Sequence, residues 1–269
     1  MTRLFIRHVT TYRFSDPKHS GGLQQVRKLP KSGNGQLVHR WETMISGGHV
    51  ELVFDDHHNN RVELLSFDGD AEELVITSEG EVEVEDQAGV VGPQRAATPL
   101  WLYTRPTEMT RAGAGTRALL KGVEGETPLD TLHSLNRATA AAVAYEIGAS
   151  EPSWAAEDAL KAGKGVCQDH AHVFIAAARE LGFAARYVSG YLMLNDRTDQ
   201  DAMHAWAEAH IDGLGWVGFD PSNGISPDTR YVRVATGLDY RDAAPVRGVR
   251  HGHASEALTV QIEVAEQSQ

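Results

Sequence analysis

Lys164-Gly165-Val166-Cys167-Gln168-Asp169-His170-Ala171-His172 holds the only cysteine of the chain. A glycine-bounded loop precedes it. A helical pattern follows, with Val173, Phe174, Ala177, Ala178 and Leu181 on one face and Gly182 as the stop. This spacing places Cys167 at a helix N-terminus, where free backbone N–H groups and the positive end of the helix dipole gather. Such a position favours a thiolate, the nucleophilic form of cysteine. A nucleophile of this kind needs a base and a group that orients the base.

Both can be found downstream. Met203 to Ile211 alternates, with small or apolar residues at odd positions and His204, Trp206, Glu208 and His210 at even ones. Asp212-Gly213 signals a hairpin, and Trp216 to Asp220 returns to stop at Pro221-Ser222-Asn223-Gly224. A two-residue loop would put His204 and Asp220 on opposite faces. A three-residue loop, Ile211-Asp212-Gly213, places them directly opposite each other, and a five-residue loop gives the same pairing. The expectation is an even-sum register, with imidazole and carboxylate side by side and the Cys167 helix packed on that face. Neutral His204 would then take the Cys167 proton, and Asp220 would fix the imidazole tautomer. The backbone N–H of Cys167 is one natural oxyanion donor, with Gln168, Tyr145 and Trp154 as candidates for another.

Gly165 to Asp169, His204-Ala205-Trp206 and Gly215 to Pro221 resemble, in this order, the three motifs of the transglutaminase-like superfamily. His8 to Phe14 and Asp239 to Gly248 are similar to its bacterial branch, which carries an N-terminal β domain. The resemblance implies a papain-like core with Cys167 as nucleophile, His204 as base and Asp220 as orienter. Ser222, His170 and Leu238 depart from the family pattern, which has threonine, an apolar or aromatic residue, and arginine there; none is a triad member.

The rest of the chain fits an α+β fold. Residues 1 to about 90 read as short strands: Leu4–Phe14, Gln36–Trp41, Val50–Phe54 and Arg61–Phe67. Leu74–Thr77 and Glu81–Glu85 are expected to form a hairpin around Ser78-Glu79-Gly80. These suggest an antiparallel sandwich-like domain over residues 1–95. A transglutaminase-like core with the C-terminal strands would follow over residues 96–269, a Cys-bearing helix packing on an antiparallel sheet. Thr127-Pro128 opens a helix there, and Glu151 to Trp154 starts a shorter one. Ala257 to Val264 alternates as a closing strand expected to extend the core sheet. Gly237 to Gly248 reads as a long loop, with Tyr240 and Asp242 expected beside the cleft.

A net charge of −12 argues against a non-specific nucleic-acid surface. No apolar run reaches the ~20 residues that span a bilayer. A single cysteine excludes an internal disulfide and fits a reducing cytoplasm. The expected partner is a peptide or protein substrate, with no membrane, no cofactor and no metal; oligomeric state is not readable. His57 and His58, in the polar Asp55 to Asn60 turn cluster, read as structural or solvated, since adjacent histidines on a strand would face opposite ways and share no metal without a bulge. Zinc on Cys167, His170, His172, His204 and His210 is an alternative, but the spacing matches no closed site. A non-catalytic interaction module of the same fold is the other. Trp206 and Trp216 read as core or cleft wall before substrate contacts.

Overall fold

A computed structural model describes residues 1–15, 22–67, 72–251 and 256–267. The N-terminal region contributes β1 (Thr2–Phe14), β2 (Gly22–Leu29), β3 (Gln36–Ser46), β4 (Gly48–Asp55), β5 (Arg61–Phe67), β6 (Glu73–Val84) and β7 (Val90–Gly92). Period-two burial in β1 and β6 puts Leu4, Ile6, Ile76 and Val82 on one inner face. β1, β3 and β6 join one sheet; β2, β4 and β5 join another.

The hairpin expected around Gly80 does not form, because β6 runs through it unbroken. Gly80 faces β3 so closely that a Cβ there would lie 2.2 Å from the Arg40 carbonyl oxygen and 2.6 Å from the Trp41 ring. The glycine therefore serves close approach rather than a turn.

After a 3-10 turn at Leu100–Thr104 come α1 (Ala114–Leu120) and α2 (Pro128–Ala142). Thr127 caps α2, its side chain accepting the Asp130 N–H at 3.1 Å. β8 (Ala144–Tyr145) pairs in parallel with β9 (Lys164–Gly165), and α3 (Ala156–Ala162) lies between them in sequence. This helix starts later than Glu151, since a turn from Glu151 to Trp154 precedes it. α4 (Cys167–Glu180) follows, ending where Gly182 takes a φ of +91°.

The core sheet has the order β14-β10-β12-β13-β7, with β10 (Ala185–Leu192), β12 (His204–Ile211), β13 (Gly215–Phe219) and β14 (Tyr231–Gly237). α4 packs on the odd residues of β12. Ala171, Phe174, Ile175 and Ala178 bury against Ala205, Ala207, Ala209 and Ile211. The helix therefore does not cover the face bearing Trp206 and Glu208, contrary to expectation. The row of alanines is what lets it approach.

The C-terminal strands do not extend the core sheet. α5 (Tyr240–Ala243) and β15 (Val246–His251) occupy what reads in sequence as a loop, and β15 pairs with β2. β11 (Asp199–Gln200) and β16 (Glu256–Glu266) join the first sheet, where β16 pairs with β1. Ile262 and Val264 bury beside Leu4 and Ile6, so the chain end closes the N-terminal core. Among the described residues no helix is long and apolar enough to cross a membrane.

Candidate functional site

Cys167 is the first residue of α4 and is half-buried, with a free thiol. Asp169 shapes the turn before it. This buried carboxylate accepts the Val166 N–H at 2.7 Å and the Ser150 hydroxyl at 2.5 Å. Gly165 makes room for it, since a Cβ there would sit 2.7 Å from the Asp169 Cβ. The His170 ring bridges the carbonyls of Val166 and Val143, both at 2.8 Å. Two side chains within three residues of the thiol are thus spent on holding its loop.

His204 begins β12, at the end of the sheet rather than on its face. Its Nε2 lies 2.6 Å from Asp220 Oδ2, and the Cys167 thiol is a near neighbour that favours charge on the ring. With Nε2 engaged, Nδ1 is the nitrogen left for sulfur. The register has the expected parity but a shifted turn, Asp212-Gly213-Leu214 in place of Ile211-Asp212-Gly213: Ile211 pairs with Gly215 and Ala207 with Phe219. Trp206 therefore falls opposite Asp220 in this register, and His204 meets the carboxylate diagonally. Leu214 enters the turn because Gly215 has a φ of +81° and a Cβ there would be 2.2 Å from the Gly92 carbonyl oxygen.

Asp220 is fully buried and dense in donors. Oδ1 accepts the Ser222 hydroxyl at 2.6 Å and the N–H groups of Ser222 and Asn223 at 3.0 and 3.2 Å. Oδ2 accepts Asn223 Nδ2 and the Tyr231 hydroxyl, each at 2.8 Å, besides His204. Burial pushes this carboxyl up, but His204 and the donors prevail and hold it at about 2. Burial likewise opposes charge on His204, yet its hydrogen bond to Asp220 and the neighbouring Cys167 raise it to about 10. Trp206 stacks on the imidazole with centroids 6.2 Å apart, and Tyr231 meets it edge-on at 5.9 Å.

Asn223 and Tyr231 hold the Asp220 carboxylate, and the sequence reading missed both. Asn223 had a signal, since an Asx-type turn after the carboxylate can fold back on it. Tyr231 had none, because only the β10–β14 pairing brings it there.

The remaining candidates separate. Tyr145 is 54% exposed, and its phenol is pushed up by burial and then by the charges of Cys167 and Asp220, so it stands near the triad. Gln168 donates Nε2 to the Pro152 carbonyl at 3.1 Å. Trp154 packs with Val143, Ala156 and Ala159, on the α3 side. Trp206 is 1% exposed and supports His204 from the core. Tyr240 packs at the core cluster that Cys167 also borders, its ring 6.1 Å from Tyr187. Asp242 corrects the expectation of a cleft residue. Its carboxylate faces His58 Nε2 at 2.6 Å and takes the Leu238 N–H at 3.0 Å, and Lys28 binds its carbonyl.

His57, His58 and Asp242 bring donor atoms within 4.8 Å of one another, since a turn rather than a strand carries the two histidines. His58 is already satisfied, by Tyr103 OH at 2.8 Å and by Asp242. The histidines of the zinc alternative are scattered. His170 is spent on carbonyls, His172 accepts the Tyr240 N–H at 3.2 Å, and His210 lies one residue before the end of β12, against Trp216.

Residues 4–83 match the bacterial transglutaminase-like N-terminal region, and residues 117–221 match the transglutaminase-like superfamily core. An uncharacterized protein of Mycobacterium leprae is 27% identical over 98% of this chain and 99% of its own. An uncharacterized protein of Mycobacterium tuberculosis is 36% identical over 124 residues, 42% of this chain and 40% of that one. The crystal structure of a "Putative Cysteine Protease from Cytophaga hutchinsonii" shares the fold at a TM-score of 0.77 and 21% identity, over 100% of this chain and 91% of that chain. The chain belongs to the transglutaminase-like superfamily, joining a core of that type to a bacterial transglutaminase-like N-terminal region.

Proposed function

We propose that this protein is a thiol-dependent acyl-transfer enzyme that attacks a peptide or side-chain amide through Cys167, His204 and Asp220. The observation that carries the reading is one imidazole held at 2.6 Å by a buried carboxylate, with the lone thiol beside it favouring its charged form. A ring raised to about 10 is a strong acceptor for the thiol proton. Sulfur then adds to the amide carbonyl, and the oxyanion forms near the free N–H groups that begin α4. The imidazolium returns its proton to the leaving amine as the C–N bond breaks, leaving a thioester on Cys167. Water, deprotonated by the now neutral ring, releases the acid and restores the thiol. Water is the proposed acceptor because an amine acceptor would crosslink neighbouring proteins in the reducing compartment that a single cysteine suggests.

A peptide-library screen in the presence of a primary amine tests this. Cleavage, deamidation and amine incorporation are scored separately, with Cys167→Ala as control. Cys167-dependent cleavage or deamidation is expected. Amine incorporation alone would replace hydrolysis by transamidation, and no Cys167-dependent product in any channel would overturn the reading.

A further inference from the structure

Away from the thiol, a cavity of about 180 Å³ lies at the seam between the N-terminal strands and the core sheet. By this measure a single water needs only ~10–15 Å³. Its walls include Lys31, Asn60, Arg95, Arg186 on β10 and Arg233 on β14. Four of these are cations, and among the described residues no carboxylate lines the cavity, in a chain whose net charge is −12.

We propose that this cavity is a binding site for a small oxyanion, a phosphate or a carboxylate. The charge balance behind the wall supports it. Glu208, fully buried, faces Arg186 Nη2 at 2.6 Å and Arg233 Nε at 2.6 Å. One carboxylate thus answers two guanidiniums, leaving one positive charge in excess. Arg186 is the costlier of the two, its side chain 6% exposed and lying 4.0 Å over the Trp216 ring. Its Nη1 reaches Gln94 Oε1 only at a weak 3.5 Å. Arg95 is exposed and makes no ion pair among the described residues. Lys31 is already committed to Asp55 and Asn59, so it adds field rather than a free donor. His58, the remaining titratable group of the lining, is held by Tyr103 and Asp242. An oxyanion between Arg186, Arg233 and Arg95 would neutralise the excess and accept forked donors, the geometry guanidinium provides. Because the walls come from both regions, a bound anion would also tie them together.

The test is calorimetric titration of the full chain with inorganic phosphate and, separately, with succinate, at fixed ionic strength against chloride. Saturable one-site binding is expected for at least one oxyanion, with a melting temperature that rises with its concentration. Preference for phosphate or succinate identifies the source, and equal affinity assigns a general oxyanion site. Arg95→Glu alters an exposed residue and leaves folding intact; Arg233→Gln keeps the Arg186–Glu208 pair. Each is expected to weaken binding about tenfold or more, the loss of one charge-assisted contact. Cys167 alkylation should be the same in both variants. No saturation beyond the chloride control, or unchanged affinity in both variants, would overturn the proposal.

Discussion

His204 takes its properties from what Asp220 accepts. Five donors besides the imidazole converge on a carboxylate with no exposure to water, so its charge is fixed in place and the ring is held by it. Asp220→Asn removes that charge and frees the imidazole. Histidine NMR should show the His204 titration midpoint falling from about 10 toward the ordinary value near 6.5. A midpoint that stays put would show that Asp220 does not govern the ring. Tyr231→Phe deletes one of the donors and leaves a buried oxygen one partner short. It is expected to cost about 1–2 kcal/mol in chemical denaturation, with a smaller fall in the His204 midpoint than Asp220→Asn. That Cys167, His204 and Asp220 gather at one place was legible in the sequence because each sits at a recognisable boundary: a helix start, a strand start and a turn. Tyr231 was not, since it reaches the site only through the β10–β14 pairing, whereas Trp206 lies two residues from His204 on the same strand.

At the scale of elements, glycine decides more than turn chemistry suggests. Gly190 lies opposite His204 across the β10–β12 pair, and a Cβ there would meet the Val232 carbonyl oxygen at 2.2 Å and the Trp206 ring at 2.4 Å. Gly190→Ala must therefore push Trp206, and with it the imidazole. Calorimetry should find a loss of about 1–3 kcal/mol, as overpacked cores show, accompanied by slower Cys167 alkylation. Gly80 illustrates the same point in reverse. Its sequence neighbourhood looks like a hairpin, but the close approach of β3 converts the glycine into part of a continuous strand. The β12–β13 register was legible in parity and not in position. Gly213 and Gly215 both adopt positive φ, and only tertiary contact with Gly92 shows which residues the turn absorbs. The helix carrying Cys167 was legible to within a residue, because its apolar period and its glycine stop agree.

For the whole molecule, the two regions share the chain ends. β16 covers β1 and β15 covers β2, a long-range arrangement that periodicity cannot reveal because alternation says nothing about the partner. Ending the chain after His251 should expose Leu4, Ile6 and the rest of that cluster, and is expected to lower the melting temperature and abolish a single cooperative transition. Stability should also peak near neutral pH. His8 and His172 are driven down to about 3, chiefly by burial, with Arg27 and Arg179 adding repulsion. Their unfolded forms bind protons first, so their contribution is present above about 6.5 and is lost as pH falls toward 3. His204 acts oppositely. Held at about 10, it contributes fully below about 6.5 and loses that contribution as pH rises through 10. Melting temperatures across pH should show both limbs, and His204→Gln should flatten the alkaline one alone.

The direct test of the shared proton is the rate of Cys167 alkylation by iodoacetamide between pH 5 and 9, in the intact protein and in His204→Ala. Only the thiolate reacts, so the rate reports how readily the thiol gives up its proton. If His204 accepts that proton, the intact protein reacts well below pH 8 and the variant is slower at pH 6–7 by about tenfold or more. Equal rates in the two proteins across that range would mean the ring and the sulfur are neighbours without shared chemistry.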